Sequence, residues 1–392
     1  MTETSLPAGV FSGLRRWPDV EAPNLQAYDT ADALLLERAA PSLTPGTAVS
    51  VIGDAYGALT LGAVAAYGLT GLRVHQDPLS GEQALERNAR SLGMDPVWMH
   101  HPLSPALVGG AQVVLLRLPR SLDALDEAAR LIAEHADPGA TVYAGGRIKH
   151  MSRGMNDVLG RYFESVTAGL AKGKSRVLTA ERPVPGHRLP PSRFPLSAEY
   201  ELPVPVTAEA GAPAPGKLRL RAYGAAFGGA ALDPGTRFLL PHLHQARKAR
   251  HAIDLGCGTG TIAAALALSR PGIKVTATDQ SAAAVASATE TMRANGVAGR
   301  VEVIRDDALS TQPDASCDLI LLNPPFHIGA SVHTGIALKL FADAGRVLRP
   351  GGELWTVWNS HLAYRPALNR LVGPTRQVDR NPKFTVAVSV RR

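Results

Sequence analysis

The same succession of elements is written twice along this chain. Residues 251–296 read HAIDLGCGTGTIAAALALSRPGIKVTATDQSAAAVASATETMRANG: an apolar strand, a glycine turn opening a helix, a second strand ending in an acid, and another helix. Residues 47–93, TAVSVIGDAYGALTLGAVAAYGLTGLRVHQDPLSGEQALERNARSLG, follow the same order, and Gly53 aligns with Gly256 and Gly57 with Gly260 without a gap. Further on, AQVVLLRLPRSLDALDEAARLIAEHADPGATVYAGG parallels CDLILLNPPF, the helical pattern around Ala337–Leu348, and RPGGELWTVWN. Strands alternating with helices at this spacing call for a mostly parallel sheet covered on both faces, so each half is expected to be a doubly wound α/β domain. The correspondence predicts an internal duplication.

A length of 392 residues suits two such domains. Nine prolines between Arg182 and Lys217 exclude helix there and limit strand to short edge pieces such as Tyr200–Pro203. Residues 182–217 are therefore the expected linker between domains 1–181 and 218–392, with part of it lying against one half as extended structure. Hydrophobic residues make up 45% and charged ones 19%, which fits a folded chain and excludes wholesale disorder. Two cysteines, Cys257 and Cys317, are too few for a disulfide framework or a four-thiolate zinc site, and no metal is expected. The N-terminus lacks a basic segment followed by a long apolar stretch, and apolar windows such as Ala55–Thr70 are glycine-interrupted and shorter than a membrane span. A cytoplasmic protein without a membrane partner is expected, with a monomer favoured. The 41 Lys and Arg exceed the 34 Asp and Glu, and the formal charge of +7 leans toward a polyanionic partner. Arg15, Arg16, Lys172, Lys174 and Arg176 are candidates for that surface, unless they are merely solvated charges.

The two copies differ where chemistry would sit. Asp254 corresponds to Val51, Cys257-Gly258 to Asp54-Ala55, and Asn323-Pro324-Pro325-Phe326 to Arg117-Leu118-Pro119-Arg120. Sheet-building residues persist while polar ones change, so the first half reads as a degenerate copy without a working site.

In the second half Gly256, Gly258 and Gly260 alternate through a turn that opens a helix, where the absent Cβ lets a nucleoside approach the main chain. The spacing GxGxG departs from the GxGxxG of dinucleotide sites, which argues against a nicotinamide oxidoreductase. Asp254, just before the turn, can attract the ammonium of an amino-acid moiety. Asp279 closes the next strand 25 residues on, about one βαβ unit, and can accept from two vicinal ribose hydroxyls or else cap the following helix. Asp306-Asp307 ends a third strand, and Asp307 is the better candidate to accept from an adenine amine, against a solvated loop charge.

The sharpest signal is Asn323-Pro324-Pro325-Phe326-His327 after the apolar strand DLILL. Two prolines make a stiff loop without amide donors, so the Asn323 side-chain oxygen and the Pro324 carbonyl are both free to accept. Paired acceptors recognise an NH2 group, direct its lone pair at an electrophile and stabilise positive charge growing on nitrogen. Phe326 offers a flat face to a base drawn out of its stack. His327 is read as a packing or RNA contact, since an aryl-ammonium loses its proton without a strong base.

Together DLGCGTG, TATD and NPPF resemble the class I, Rossmann-like amino-methyltransferases that use S-adenosylmethionine. The longer string NPPFH, the upstream ALDPGTRFLL and the tail WNSHLAYRPAL with NPKFTVAV resemble more narrowly the bacterial ribosomal RNA guanine-N2 methyltransferases, closer to the large-subunit branch. That resemblance spans nearly the whole chain. It implies two tandem Rossmann-like domains, the first degenerate and the second catalytic, with S-adenosylmethionine on the glycine turn and Asp279, and the target amine on Asn323, Pro324 and Phe326. It also implies ribosomal RNA or a ribosomal subunit as partner. The segment AYGAAFGGA departs from the family's Gly-Val-Phe-Ser type and keeps only Phe227. Adenine N6 and protein glutamine N5 transfer are the alternatives within the same amine chemistry, and a non-catalytic RNA-binding or assembly factor is the alternative outside it.

Overall fold

The computed structural model describes residues 8–22, 24–202, 216–325 and 334–392. The chain divides into two compact units, Met1–Phe194 and Pro195–Arg392. Unit 1 opens with α1 (Ala8–Gly13) and α2 (Thr30–Ala39), then alternates β1 (Val49–Ile52), α3 (Ala58–Tyr67), β2 (Leu72–His75), α4 (Leu79–Ser91), β3 (Trp98–His100), α5 (Pro105–Val108), β4 (Val113–Arg117), α6 (Leu122–His135) and β5 (Thr141–Arg147). It closes with α7 (Arg153–Leu159), β6 (Phe163–Ala168) and β7 (Ser175–Pro183). Unit 2 begins with a hairpin of β8 (Leu196–Glu201) and β9 (Lys217–Ala222), followed by α8 (Pro234–Leu239), β10 (His251–Leu255), α9 (Thr261–Ser269), β11 (Lys274–Asp279), α10 (Ala282–Ala294) and β12 (Val301–Arg305). It ends with β13 (Cys317–Leu322), α11 (Thr334–Val347), β14 (Leu348–Asn359), α12 (Arg365–Leu371), β15 (Thr375–Arg380) and β16 (Phe384–Val390).

Each unit holds a seven-stranded sheet, ordered β3-β2-β1-β4-β5-β7-β6 in the first and β12-β11-β10-β13-β14-β16-β15 in the second. The strand order is the same in both. The sheets are mixed: β7 runs antiparallel to both of its neighbours, β5 and β6, as β16 does to β14 and β15, and the other neighbouring strands pair in parallel. Alternation along the central strands sends residues to opposite faces. In β4, Val113 and Leu115 join a core with α2, α3 and α4, while Val114 and Leu116 join another with α5, α6 and α7. In β13, Leu319 and Leu321 face α9 and α10, and Ile320 and Leu322 face α11 and α12. Burial on both faces is why these strands read as continuous apolar runs.

The proline-rich stretch is shared between the units. Its first residues, Arg182 and Pro183, finish β7, and Gly186–Arg188 form a single tight turn. Strand β8 starts earlier than proline density alone allows, because Pro195 lies just outside it and Leu196, Ala198 and Tyr200 alternate inward onto the core of unit 2. Its partner β9 and the residue after it are tied to α10 and its C-cap: the Ser287, Thr291 and Asn295 side chains accept from the backbone N–H groups of Tyr223, Arg221 and Arg219 at 2.9–3.0 Å.

Gly57 and Gly260 precede α3 and α9 in the left-handed conformation, at φ 98° and 76°. A Cβ at Gly57 would lie 2.7 Å from Leu85 of α4, and one at Gly260 would lie 2.6 Å from Met292 of α10. Both glycines therefore let a helix pack against the next one. Gly57→Ala and Gly260→Ala are each expected to lower unfolding free energy by about 1–3 kcal/mol, from overpacking added to left-handed strain. Urea titration checks this, and a midpoint no lower than that of the parent protein would contradict the packing role.

Candidate active site

The site of unit 2 lies at the carboxyl ends of β10, β11 and β13, the edge where open α/β sheets bind ligands. β10 ends at Leu255 beside Leu322 of β13, so Asn323 leaves the sheet next to the glycine turn. Gly256 and Gly258 have φ of 68° and 53°, which favours glycine, and no atom lies within 4 Å of where their Cβ atoms would be. That open space admits a ligand to the main chain. Gly260, the third glycine of the turn, instead faces Met292 and Ala288.

Asp279 is bound into the same turn: its carboxylate accepts from Gly258 N at 2.9 Å and from Ser281 N at 2.9 Å. It does not cap α10, since Ser281 takes that position and accepts from Ala284 N. Asp254 is fully buried, with Oδ2 accepting from Ala263 N at 2.9 Å and Oδ1 without a partner among the described residues. Burial pushes its carboxyl up to about 7, Asp279 adds to the rise, and the Ala263 N–H opposes it. Of the two acids after β12, Asp306 is consumed by its own loop, accepting from Ser310 Oγ, Thr311 N and Thr311 Oγ1 at 2.5–3.1 Å. Asp307 is half-free, paired with Lys339 of α11 at 2.5 Å.

Asn323 is held by two residues that the sequence reading passed over. Its Nδ2 donates to Asp233 Oδ1 at 2.7 Å and to Thr236 Oγ1 at 3.0 Å. A carboxylate only accepts, so the amide orientation is chemically forced: nitrogen toward Asp233, oxygen away from it. Asp233 is also the N-cap of α8, accepting from Thr236 N at 2.8 Å, with Pro234 at the first helical position. The Asn323 Oδ1 is buried without a partner among the described residues, and a Cβ on Gly235 would press on it from 3.4 Å. The signal for this clamp was present as the N-cap pattern Asp-Pro-Gly-Thr in ALDPGTRFLL, but nothing local told which strand end it would reach.

Pro324 is buried and Pro325 exposed, while Phe326 and His327 lie outside the described residues. The segments NSHLAY and NPKF meet, with Ser360 N donating to Lys383 O at 2.8 Å and Ser360 Oγ to Asn381 O at 2.9 Å. Phe384 thereby comes against Gly235. Phe227 stands 87% exposed. The Cys257 thiol is driven up by burial and by the charges of Asp279 and Asp254, and burial takes Cys317 to about 11, so neither offers a thiolate near neutral pH. Among the five basic residues singled out in unit 1, Arg16 pairs with Asp19 and Lys172 with Glu37, and the Arg15 guanidinium donates to the carbonyls of Ser12 and Leu14. No helix among the described residues is long and apolar enough to cross a membrane.

Residues 217–388 match the family model Methyltransferase small domain, and residues 1–184 match the RLMG N-terminal domain. A Ribosomal RNA large subunit methyltransferase G of Streptomyces avermitilis is 35% identical over 391 residues, which is 98% of this chain and 98% of that protein. Its namesake from Pseudomonas paraeruginosa is 37% identical over 381 residues, 95% of this chain and 96% of that protein. Among solved structures, a 16S rRNA N2 methyltransferase of T. thermophilus in complex with AdoMet and guanosine has the same fold, with a TM-score of 0.71, 21% identity and coverage of 95% of this chain and 97% of that one. On identity sustained over nearly its full length, the chain belongs to the ribosomal RNA large subunit methyltransferase G family.

Proposed function

We propose that this protein methylates the exocyclic N2 amine of a guanine in 23S-type ribosomal RNA, using S-adenosylmethionine and yielding N2-methylguanosine. The observation that carries the reading is the clamped Asn323, whose amide nitrogen is spent on Asp233 and Thr236 and whose oxygen is left to accept. Such a substrate puts the work in the cytoplasm.

The turn suits the cofactor. Gly256 and Gly258 leave room for a nucleoside against the main chain, and Gly260 supports the turn through its packing on α10. Asp279 takes the ribose hydroxyls, Asp307 the adenine amine, and the partnerless oxygen of Asp254 the ammonium of the methionine part. When bound, S-adenosylmethionine supplies an electrophilic methyl carbon on a positively charged sulfur.

The guanine amine is a poor nucleophile because its lone pair is conjugated with the ring. Asn323 Oδ1 and the Pro324 carbonyl accept its two N–H groups, hold the nitrogen in place and turn its lone pair toward the methyl donor. As nitrogen takes the methyl group it becomes positive, and the same two oxygens stabilise that charge. The surplus proton then leaves to water, since an aryl-ammonium is a strong acid. Phe326 supplies the stacking face.

The first unit serves, in this reading, as a duplicated and degenerate copy that holds RNA. Support comes from the shared strand order and from left-handed φ at Gly53, Ala55 and Gly57, the counterparts of Gly256, Gly258 and Gly260. Ala55 keeps φ at 60° although it is no longer glycine. By sheet register Val51 stands where Asp254 does, Gln76 where Asp279 does, and Arg117 where Asn323 does.

Incubating the protein with labelled cofactor and either naked 23S rRNA or large subunits, then digesting the RNA to nucleosides for mass spectrometry, tests the reading. Label in N6-methyladenosine or in protein, with none in N2-methylguanosine, would sink it. Asn323→Ala is expected to cut kcat by about 10²–10³ while cofactor affinity stays, as for loss of one preorganised charge-stabilising group. Thr236→Val keeps the helix cap and removes one of the two bonds on the Asn323 amide, whereas Asp233→Ala removes the cap and the other bond; single-turnover rates should fall about tenfold or more, as misorientation of a catalytic group predicts. Unchanged rates in both would remove the clamp from the argument.

The Asp254 carboxyl, raised to about 7 by burial, is neutral below that pH and charged above it. A cationic ligand favours the charged form, so binding must expel a proton at lower pH. Cofactor affinity should therefore fall by up to about tenfold per pH unit below neutrality and level off above it. Calorimetry between pH 5.5 and 8 reads this slope, and Asp254→Asn should flatten it.

A further inference from the structure

We propose that unit 1 carries an oxyanion site at the carboxyl ends of β4 and β5, built to take a phosphate of the RNA backbone. This rests on the RNA reading above and gives the first unit a specific ligand group. The site is a cavity of about 230 Å³ lined by Asp29, Arg117, Arg120, Arg147, Lys149 and His150, among others. That is room for a phosphate group together with water.

The cations in this cavity are of two kinds. Arg117 is neutralised in place, donating to Asp32 at 2.7 and 2.8 Å and to Asp29 at 2.9 Å. Arg120, Arg147 and Lys149 have no carboxylate partner among the described residues. Arg120 meets His150 Nε2 at 3.4 Å, and the Nε of Arg147 is buried without a partner among the described residues. A buried guanidinium N–H left without an acceptor is costly, and a ligand oxygen removes that cost. His150 reports the local field: burial and the charges of Arg120, Lys149 and Arg147 hold its pKa below the usual range, against a smaller opposing effect of Asp29.

Counted together, four cations face two carboxylates, so the cavity keeps a positive excess that suits one singly charged phosphodiester. Guanidinium forks match phosphate oxygens two at a time, and Lys149 and Arg120 are exposed enough to meet a polymer. The place is also telling. Arg117 occupies the register position that Asn323 has in unit 2, so the strand end that presents an acceptor to an amine in one sheet presents donors to an anion in the other.

Filter binding of a full-length 23S rRNA transcript over a salt series from 50 to 200 mM tests this in the intact protein. The variants are Arg147→Gln, the exposed pair Arg120→Gln/Lys149→Gln, which touches no core, and a control pair Arg38→Gln/Arg90→Gln, exposed cations of the same unit outside the cavity. Both cavity variants should bind on the order of tenfold more weakly, and the slope of log affinity against log salt should drop by about 0.7–0.9, the signature of one lost phosphate contact. The control pair should keep the parental slope. Equal losses in cavity and control variants, or no loss in either cavity variant, overturns the site. A second arm titrates inorganic phosphate and guanosine monophosphate by calorimetry. Heat that requires Arg147, beside an unchanged RNA slope, assigns the cavity to a free anion and overturns the backbone-phosphate reading. RNA binding is read without methyl transfer, so a failure to find N2-methylguanosine is a separate result from a failure here.

Discussion

The candidate site of unit 2 depends on a hydrogen-bonded link between the first turn of one helix and the residue that follows a strand. Asp233 closes the amino end of α8, and the same carboxylate oxygen also takes an N–H of Asn323. A capping residue is worth about 1 kcal/mol to its helix and is held by that helix in return, so the clamp on Asn323 inherits the rigidity of a packed element. An asparagine free to flip would present nitrogen or oxygen to an incoming amine indifferently. In the role we propose for Asn323, fixing the amide presents the acceptor oxygen and so selects a hydrogen-bond donor as its partner.

Unit 1 uses the same device with different side chains. Its second helix is capped by Asp29, with Asp32 at the third helical position, and both reach the last residue of β4. There the residue is Arg117, and two acids are needed to hold a cation where one acid and a hydroxyl hold an amide. The local cost is visible in Asp32, whose carboxyl burial raises to about 6 despite the guanidinium beside it. Val51 and Gln76 complete the change: a nonpolar side chain and a neutral amide stand where unit 2 has two acids. In the duplication we propose, the architecture outlasted the chemistry because the helix cap, the turn and the strand are each stabilised by backbone hydrogen bonds and packing that do not require the polar ends.

Most of the fold was legible in the sequence because fully buried parallel strands are apolar without interruption and each is followed by a turn and a helix. That the glycine turn, Asp279 and Asn323 come to neighbouring strand ends was legible for the same reason, since the strand ends of such a sheet share one edge. Three things were not. The extent of β8 was hidden by the prolines around it, and only its alternating Leu196, Ala198 and Tyr200 betray a one-sided strand. Asp233 and Thr236 lie about 90 residues from Asn323, and no local pattern announces a contact across that distance. The cationic cavity was missed because Arg120, Arg147 and Lys149 are scattered in sequence and gather only when β4 and β5 lie side by side. Conversely, residues that looked like a basic surface, such as Arg16 and Lys172, proved to be engaged with nearby acids.

The β8–β9 hairpin has a consequence for where the second unit begins. Its strands pair from Leu196 opposite Ala222 to Glu201 opposite Lys217, and β9 is stitched to α10 on its other side. A fragment started at residue 218, where the proline density falls away, would strip β9 of its neighbour and leave a raw row of amide groups beside the apolar side chains of Leu218 and Leu220. The compact unit is the one that starts at Pro195, so the segment that looks most like a tether contributes Leu196–Glu201 as a strand of the unit it leads into.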